Sequence, residues 1–166
     1  QNVAAAGTIQ NLAGDLHSAL GGIVGEVAGG VVRNCAAEFT VDGGGESLGL
    51  FAGGVAGVVE QGGLVQNCRS SARMKNVQAH FLYLGGVAGC VRDSRVEDCA
   101  FAISLTAQGG EGQYIQAGDV TGSIQGESAL VNCVQLRRRD KQRQAPHMSQ
   151  TPARSDSAAG EGPEGR

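Results

Sequence analysis

The sequence predicts an all-β fold, a parallel β-helix (β-solenoid) of about four coils with a repeat of about 32 residues, followed by a disordered tail. Two observations carry this prediction. A glycine-rich apolar segment recurs four times at nearly constant spacing. Each copy ends about ten residues later in Asn-Cys or Asp-Cys. A fixed period of this length is typical of architectures in which each unit stacks on its neighbours.

The four copies define the predicted domain organisation. They read GGIVGEVAGGVVRNC at 21–35, GGVAGVVEQGGLVQNC at 53–68, GGVAGCVRDSRVEDC at 85–99 and GDVTGSIQGESALVNC at 118–133. Residues 1–136 are therefore predicted to form the solenoid, with a partial coil at 1–20 and coils at about 21–52, 53–84, 85–117 and 118–136. Residues 137–166 are basic and then rich in Pro, Ser, Gly and Glu, which is typical of a disordered tail.

The first half of each copy reads as a short strand. A segment such as 55–59 has too much Gly and too few helix formers for a helix. Apolar residues repeat in two columns four positions apart, so both columns lie on one face of the strand. The repeat glycines between these columns would let backbones approach closely; they are Gly25, Gly57, Gly89 and Gly122.

The second half of each copy predicts a corner. An apolar column (Val32 in the first copy) is followed three residues later by a cysteine column, and an odd step needs a bend if both are to face inward. Asn and Asp tolerate the left-handed conformation of a corner, and stacked Asn side chains can bond to each other. The predicted ladder consists of Asn34, Asn67, Asp98 and Asn132, followed by the buried thiols Cys35, Cys68, Cys99 and Cys133.

Cys90 stands outside the cysteine column. It follows Gly89 in a place that is occupied by Glu26, Val58 or Ser123 in the other copies. Alternation between inward Gly89 and inward Val91 turns its side chain outward. The pattern therefore predicts that Cys90 is an exposed, reactive thiol.

The stretches between the copies vary in sequence. Residues 42–50, 74–81 and 108–113 are expected to be loops or the less regular side of each coil. Short strands with frequent glycine also occur in β-sandwiches and β-propellers, which are the rival folds.

The phased recurrence of Gly-Gly-Val-Ala-Gly with Asn-Cys resembles the GLUG-type repeat. Segments 21–35, 53–68 and 85–99 carry the resemblance well; 118–133 departs from it, because Asp119 replaces the second Gly. The resemblance implies a surface-exposed module of a large secreted or surface-attached bacterial protein, adhesin-like or accompanying an immunoglobulin A peptidase. It implies an extracellular or cell-surface location and supplies no catalytic residues.

Other chemistries find little support. The glycine runs lack the Gly-Lys-Ser/Thr of a phosphate loop and the strand-to-helix context of a dinucleotide site. The chain has five Cys and three His but no Cys-x-x-Cys pair, so we expect no metal and no cofactor; a disulfide between stacked cysteines stays open. No stretch reaches the length of a membrane span. The basic run 137–143 has no interleaved aromatic residue, so we expect no nucleic-acid binding.

Two functions remain. The first is a non-enzymatic structural or adhesive module whose partner is an unknown protein or glycan on a surface, with end-to-end self-association of the coils. The second is a carbohydrate-processing β-helix enzyme of lyase or glycoside hydrolase type, with Asp93, Glu97 and Asp98 as candidate carboxylates. An enzyme should cluster carboxylates on one outer face, whereas Glu97 lies in a variable column that also holds Arg33 and Gln66. The first function is therefore the prediction.

Overall fold

A computed structural model describes residues 2–10, 14–42, 47–77, 79–107 and 114–136. Within these ranges there are seventeen strands and no helix. The first nine strands are β1 (Ala4–Gln10), β2 (Gly14–Gly21), β3 (Val24–Ala28), β4 (Val31–Arg33), β5 (Ala36–Asp42), β6 (Ser47–Gly53), β7 (Ala56–Glu60), β8 (Leu64–Gln66) and β9 (Arg69–Val77). The others are β10 (Phe81–Gly85), β11 (Ala88–Arg92), β12 (Arg95–Glu97), β13 (Ala100–Ala107), β14 (Tyr114–Gly118), β15 (Thr121–Gln125), β16 (Ala129–Val131) and β17 (Val134–Gln135).

The strands form four parallel sheets in which every fourth strand is a neighbour. We call them sheet A (β1-β5-β9-β13-β17), sheet B (β2-β6-β10-β14), sheet C (β3-β7-β11-β15) and sheet D (β4-β8-β12-β16). The chain thus winds through sheets B, C, D and A in turn and rises by one strand per turn. The predicted β-solenoid is confirmed, with about three full turns (β2–β5, β6–β9 and β10–β13) and a shorter last turn (β14–β17).

Each turn is more regular than the sequence predicts. It has four strands, and stretches expected to be loops contribute to two of them: β6 begins at Ser47, and β9 continues to Val77. Strands at these positions lack the Gly and Asn signals of the repeat, which is why the pattern does not reveal them. Residues 108–113 and the predicted tail 137–166 lie outside the described residues.

The interior holds two apolar clusters. Sheets C and D enclose one cluster with the valine columns, such as Val55, Val59 and Val65, together with the stacked thiols. Sheets A and B enclose the other with Leu50, Leu82 and their neighbours. Like residues meet across turns because the strand pairing is in register. Small aliphatic side chains are therefore completely buried, because each one packs against the equivalent side chains of the neighbouring turns.

The corner before each ladder cysteine is left-handed. The φ angles are 57° at Asn34, 50° at Asn67, 54° at Asp98 and 52° at Asn132. Few residues other than glycine adopt this conformation, and Asn and Asp are the commonest of them. The bend lets Val65 and Cys68 both face the interior, although they are three positions apart.

The repeat glycines sit where strands of sheets C and B come into contact. A Cβ atom added to Gly57 would lie 2.5 Å from the backbone nitrogen of Leu20, in the preceding turn. Gly89 and Gly122 repeat this arrangement, at 2.5 and 2.4 Å from the backbone nitrogens of Ala52 and Leu84. The glycine column therefore permits close approach of backbones rather than filling the core.

We predict that Gly57→Ala lowers the free energy of unfolding by roughly 1–3 kcal/mol, because the new methyl group forces two backbone segments apart. Gly7→Ala is the matched control: nothing lies within 4 Å of a Cβ at Gly7, so this change should be neutral or slightly stabilising. Urea unfolding followed by circular dichroism measures both variants. Equal stability of the two variants would contradict the close contact.

Candidate functional site

A groove runs along the outside of the solenoid where sheets B and C meet. Its volume is about 420 Å³. Sheet B contributes one wall, including His17 and Phe51, and sheet C contributes the other, including Val58 and Cys90. Because the strands stack in register, the groove follows the solenoid axis and crosses three turns. It is a concave surface with both apolar and charged lining.

The charged lining comes from one row of sheet C. Arg92 donates from Nη1 to Glu60 Oε2 at 3.3 Å and from Nε to Gln125 Oε1 at 3.0 Å. The Arg92 side chain is 48% exposed. Glu26 lies beside this row, one turn before Val58. The row therefore offers donors and acceptors of both signs to anything that enters the groove.

An aromatic strip begins at the sheet B wall of the groove, which includes His17 and Phe51, and continues along the outer face of sheet B. The rings of Phe51 and Tyr83 stack with their centroids 5.0 Å apart and their planes 6° from parallel. His17 adjoins Phe51 at 6.1 Å, and Tyr114 adjoins Tyr83 at 6.1 Å and Phe81 at 6.4 Å. We call these five residues the aromatic strip. It spans four successive turns.

The aromatic strip takes most of the chain's aromatic residues. The sequence has four Phe, two Tyr and no Trp. Phe39 and Phe101 are buried in the core. The other four lie on the outer face of sheet B, opposite the inward residues Leu50 and Leu82. Phe81 is 45% exposed and Tyr114 is 52% exposed.

The prediction of an exposed Cys90 is wrong, because its exposed fraction is 0%. Alternation does turn Cys90 away from the interior: it belongs to neither core cluster and lines the groove. The outside of the solenoid is concave at this point, however, and sheet B covers the row that contains Cys90. Burial raises the pKa of the Cys90 thiol, against the opposing effect of Arg92. Both properties oppose reactivity.

The other four cysteines stack along the interior. Cys35, Cys68 and Cys99 are buried and Cys133, in the last turn, is half-buried. None of these four cysteines forms a disulfide bond within the described residues. Their sulfurs donate to carbonyl oxygens two residues back, at distances between 3.2 and 3.5 Å. In three of them the sulfur also lies within 3.9 Å of a carbonyl oxygen in the preceding turn.

Neighbouring thiols in this stack differ in acidity. A hydrogen bond from the Cys99 thiol lowers the pKa of Cys68, against the effect of burial. The same contact, together with burial, raises the pKa of Cys99. Burial also raises the pKa of Cys133. The contact between Cys68 and Cys99 therefore shifts the two pKa values in opposite directions, in a position shielded from solvent.

The corner residues form a hydrogen-bonded ladder on the outside. Asn67 Nδ2 donates to Asn34 Oδ1 at 2.8 Å, and Asn132 Nδ2 donates to Asp98 Oδ1 at 3.1 Å. Each amide thus donates to the preceding turn. Asp98 has no NH₂ group, so it accepts from Asn132 but cannot donate to Asn67. The ladder is interrupted between the second and third turns.

We predict that Asp98→Asn completes the ladder and raises the free energy of unfolding by about 0.5–1.5 kcal/mol, the usual net value of one hydrogen bond. Asn67→Asp is the matched control, since it removes the donor to Asn34 at the equivalent corner and should be destabilising. Thermal unfolding of both variants measures the difference. Destabilisation by Asp98→Asn would contradict the ladder.

We also predict a pH dependence from Cys90. Its pKa is raised in the folded chain, so above the ordinary thiol pKa of about 8.5 the unfolded chain loses a proton that the folded chain keeps. Stability should therefore fall as pH rises from about 8 to 9.5, by at most ~1.4 kcal/mol per pH unit for this group. Cys90→Ala should make the fall shallower.

Val58→Ala is the control for this experiment, because Val58 occupies the same row one turn earlier and does not titrate. Its stability should keep the pH slope of the parent chain. Thiol labelling gives a second measurement: Cys90 should react slowly in the native state. Rapid labelling of Cys90 would contradict its burial.

The candidate carboxylates are all engaged in structural contacts. Asp93 has a φ of 46° and accepts a hydrogen bond from the backbone nitrogen of Glu127 at 2.9 Å. Glu97 pairs with Arg95 at 2.9 Å. Asp98 belongs to the corner ladder. The structure does not bring these three groups into the groove.

Among the described ranges, no group of three or more His, Cys, Asp and Glu side chains is placed to hold a metal ion. The same part of the chain has no helix long and apolar enough to cross a membrane.

The sequence pattern places the row of Glu26, Val58 and Cys90 on the outside but reveals neither the groove nor the aromatic strip. The only available signal is the spacing of 32 residues between Phe51 and Tyr83, which equals the repeat period. The equivalent residues of the outer turns are Ala19 and Gln116. The column therefore has no common residue type, and the repeat pattern does not reveal it.

Comparison with known proteins agrees with the repeat. The family model of the GLUG motif matches residues 17–42. This segment covers the end of β2, the Gly-Gly pair at 21–22, the Asn34 corner and β5. The chain therefore contains a GLUG motif within its first full turn. Neither the comparison with curated proteins nor that with solved structures found a match.

Proposed function

We propose that this chain is a non-enzymatic structural or adhesive module of a larger bacterial protein that is secreted or attached to the cell surface. The observation that carries the proposal is the solenoid itself, with a GLUG motif in its first full turn. A solenoid is an extended scaffold whose outer rows repeat at the strand spacing. Such a scaffold can present a long surface to a partner without any moving part.

The distribution of contacts supports a scaffold. The repeat glycines, the corner residues and the stacked thiols pack one turn against the next. The candidate carboxylates of the enzyme alternative are engaged in structural contacts: Asp93 accepts a hydrogen bond from the backbone, and Glu97 forms an ion pair with Arg95. The groove and the aromatic strip are open to a partner. The partner would be a protein or glycan on another surface.

End-to-end self-association also stays a prediction. Within the described residues, the strands of the last turn pair only with the turn before them. This turn exposes the apolar residues Tyr114, Ile115, Ile124, Leu130 and Val134. Exposed edges of this kind can pair with another chain. The first full turn also exposes an apolar side chain, since Val31 is 54% exposed.

Adhesion is tested with beads coated with the 166-residue chain. We expect these beads to be retained on at least one of three surfaces (epithelial cells, extracellular matrix or bacterial cells) more strongly than beads coated with the heat-denatured chain. The same preparation, incubated with a panel of polysaccharides, should release no new reducing ends and no unsaturated products. Cleavage abolished by Asp93→Asn or Asp98→Asn would favour the enzyme. Absence of retention on all three surfaces would contradict the adhesive role.

A further inference from the structure

We propose that the groove and the aromatic strip together bind a neutral oligosaccharide chain that lies along the solenoid axis. This inference rests on the proposed adhesive function and names the chemical class of its ligand. It assigns the apolar contacts to the strip and the hydrogen bonds to the row that contains Arg92.

The placement of the aromatic residues is the first argument. Aromatic side chains usually supply the bulk of a core, yet four of the six Phe and Tyr residues of this chain lie outside it. They form a narrow strip, one or two rings wide, instead of a broad apolar patch. Pyranose rings have apolar C–H faces that pack against aromatic rings. Phe51 and Tyr83 stack on each other, so the rings offered to a sugar are those of Phe81 and Tyr114, which are about half exposed. A narrow strip fits a chain of such rings better than the wide surface of a globular partner.

The polar groups of the groove are the second argument. Glu26, Glu60 and Arg92 bring two negative charges and one positive charge to the lining. Gln125 adds an amide to the same row. Sugar hydroxyls both donate and accept, so a mixed row can serve them at successive positions. A polyanion would meet the two carboxylates, and a polycation would meet Arg92.

The third argument is the period of the surface. Successive turns are separated by one strand spacing of about 4.8 Å. Aromatic and polar groups recur at this spacing on the two walls, in the register of Phe51 with Tyr83 and of Glu60 with Arg92. A linear polymer lying along the axis would contact several turns at once, and its binding would strengthen with chain length.

Titration calorimetry of the 166-residue chain tests the proposal. The probes are cellohexaose, chitohexaose, xylohexaose and maltohexaose, with hexagalacturonate as the charged comparison. We expect at least one neutral hexasaccharide to bind, and more tightly than its trisaccharide. The double variant Phe81→Ser/Tyr114→Ser should weaken that binding by about tenfold or more. Both residues are about half exposed and lie outside the core, so the variant should keep the circular dichroism spectrum of the parent chain.

Arg92→Gln tests the other wall and should also weaken binding. Its matched control is Arg73→Gln, because Arg73 is exposed on sheet A, away from the groove; binding should then be unchanged. The proposal is overturned if no neutral hexasaccharide binds, if only hexagalacturonate binds, or if the folded strip variant and Arg92→Gln both bind as tightly as the parent chain. It is also overturned if the strip variant abolishes self-association instead, which sedimentation velocity would show.

The bead experiment separates this inference from the adhesive function. Retention of beads coated with the parent chain, without binding of any neutral hexasaccharide, would leave the adhesive role intact and contradict the oligosaccharide site. Binding of a hexasaccharide without bead retention would support the site and contradict the adhesive role.

Discussion

The structure depends on in-register parallel pairing between successive turns. Each strand pairs with the strand one turn later, so a side chain meets its equivalent at one strand spacing. Inside, this places valine on valine and thiol on thiol; outside, it places Asn67 on Asn34. The glycine column makes the pairing compatible with a sharp angle between sheets B and C, because no Cβ separates Gly57 from the backbone of Leu20. Groove, ladder and core are consequences of that one register.

The parts of this register that repeat by residue type could be predicted from the sequence. Gly57 and Gly89, and the Asn-Cys corner, recur at the period of the turn, and each has a backbone reason to be that residue type. The valine columns followed from the even spacing within a copy. Several strands of sheets A and B could not be predicted, because their residue types vary from turn to turn. These strands share only the alternation of buried and exposed side chains.

The groove could not be predicted for a different reason. Alternation correctly separates Cys90 from the interior, but alternation describes one strand and does not say whether another sheet lies outside it. The burial of Cys90 comes from sheet B, which belongs to a stretch without repeat signals. The same holds for the aromatic strip: Phe51 and Tyr83 are stacked by the pairing of β6 with β10, while their neighbours in the column are Ala19 and Gln116. On a solenoid, the residues that vary from turn to turn determine where a surface site lies.

In the three full turns, the second glycine of the Gly-Gly pair (Gly22, Gly54 or Gly86) and the side chains opposite it can be exchanged only together. A Cβ atom at Gly86 would meet the Phe101 ring, whereas at Gly54 it would meet Ser70 and at Gly22 it would meet Ala37 and Phe39. Each glycine and its opposing side chains lie in the same turn, about 15 residues apart in the chain. Recombination between repeats that preserves this interval transfers both partners together, so turns can be duplicated or swapped without a mismatch of volumes. A crossover between the glycine and the Asn corner would separate them. Such a gene is expected to gain and lose repeats in blocks that begin before the glycine pair.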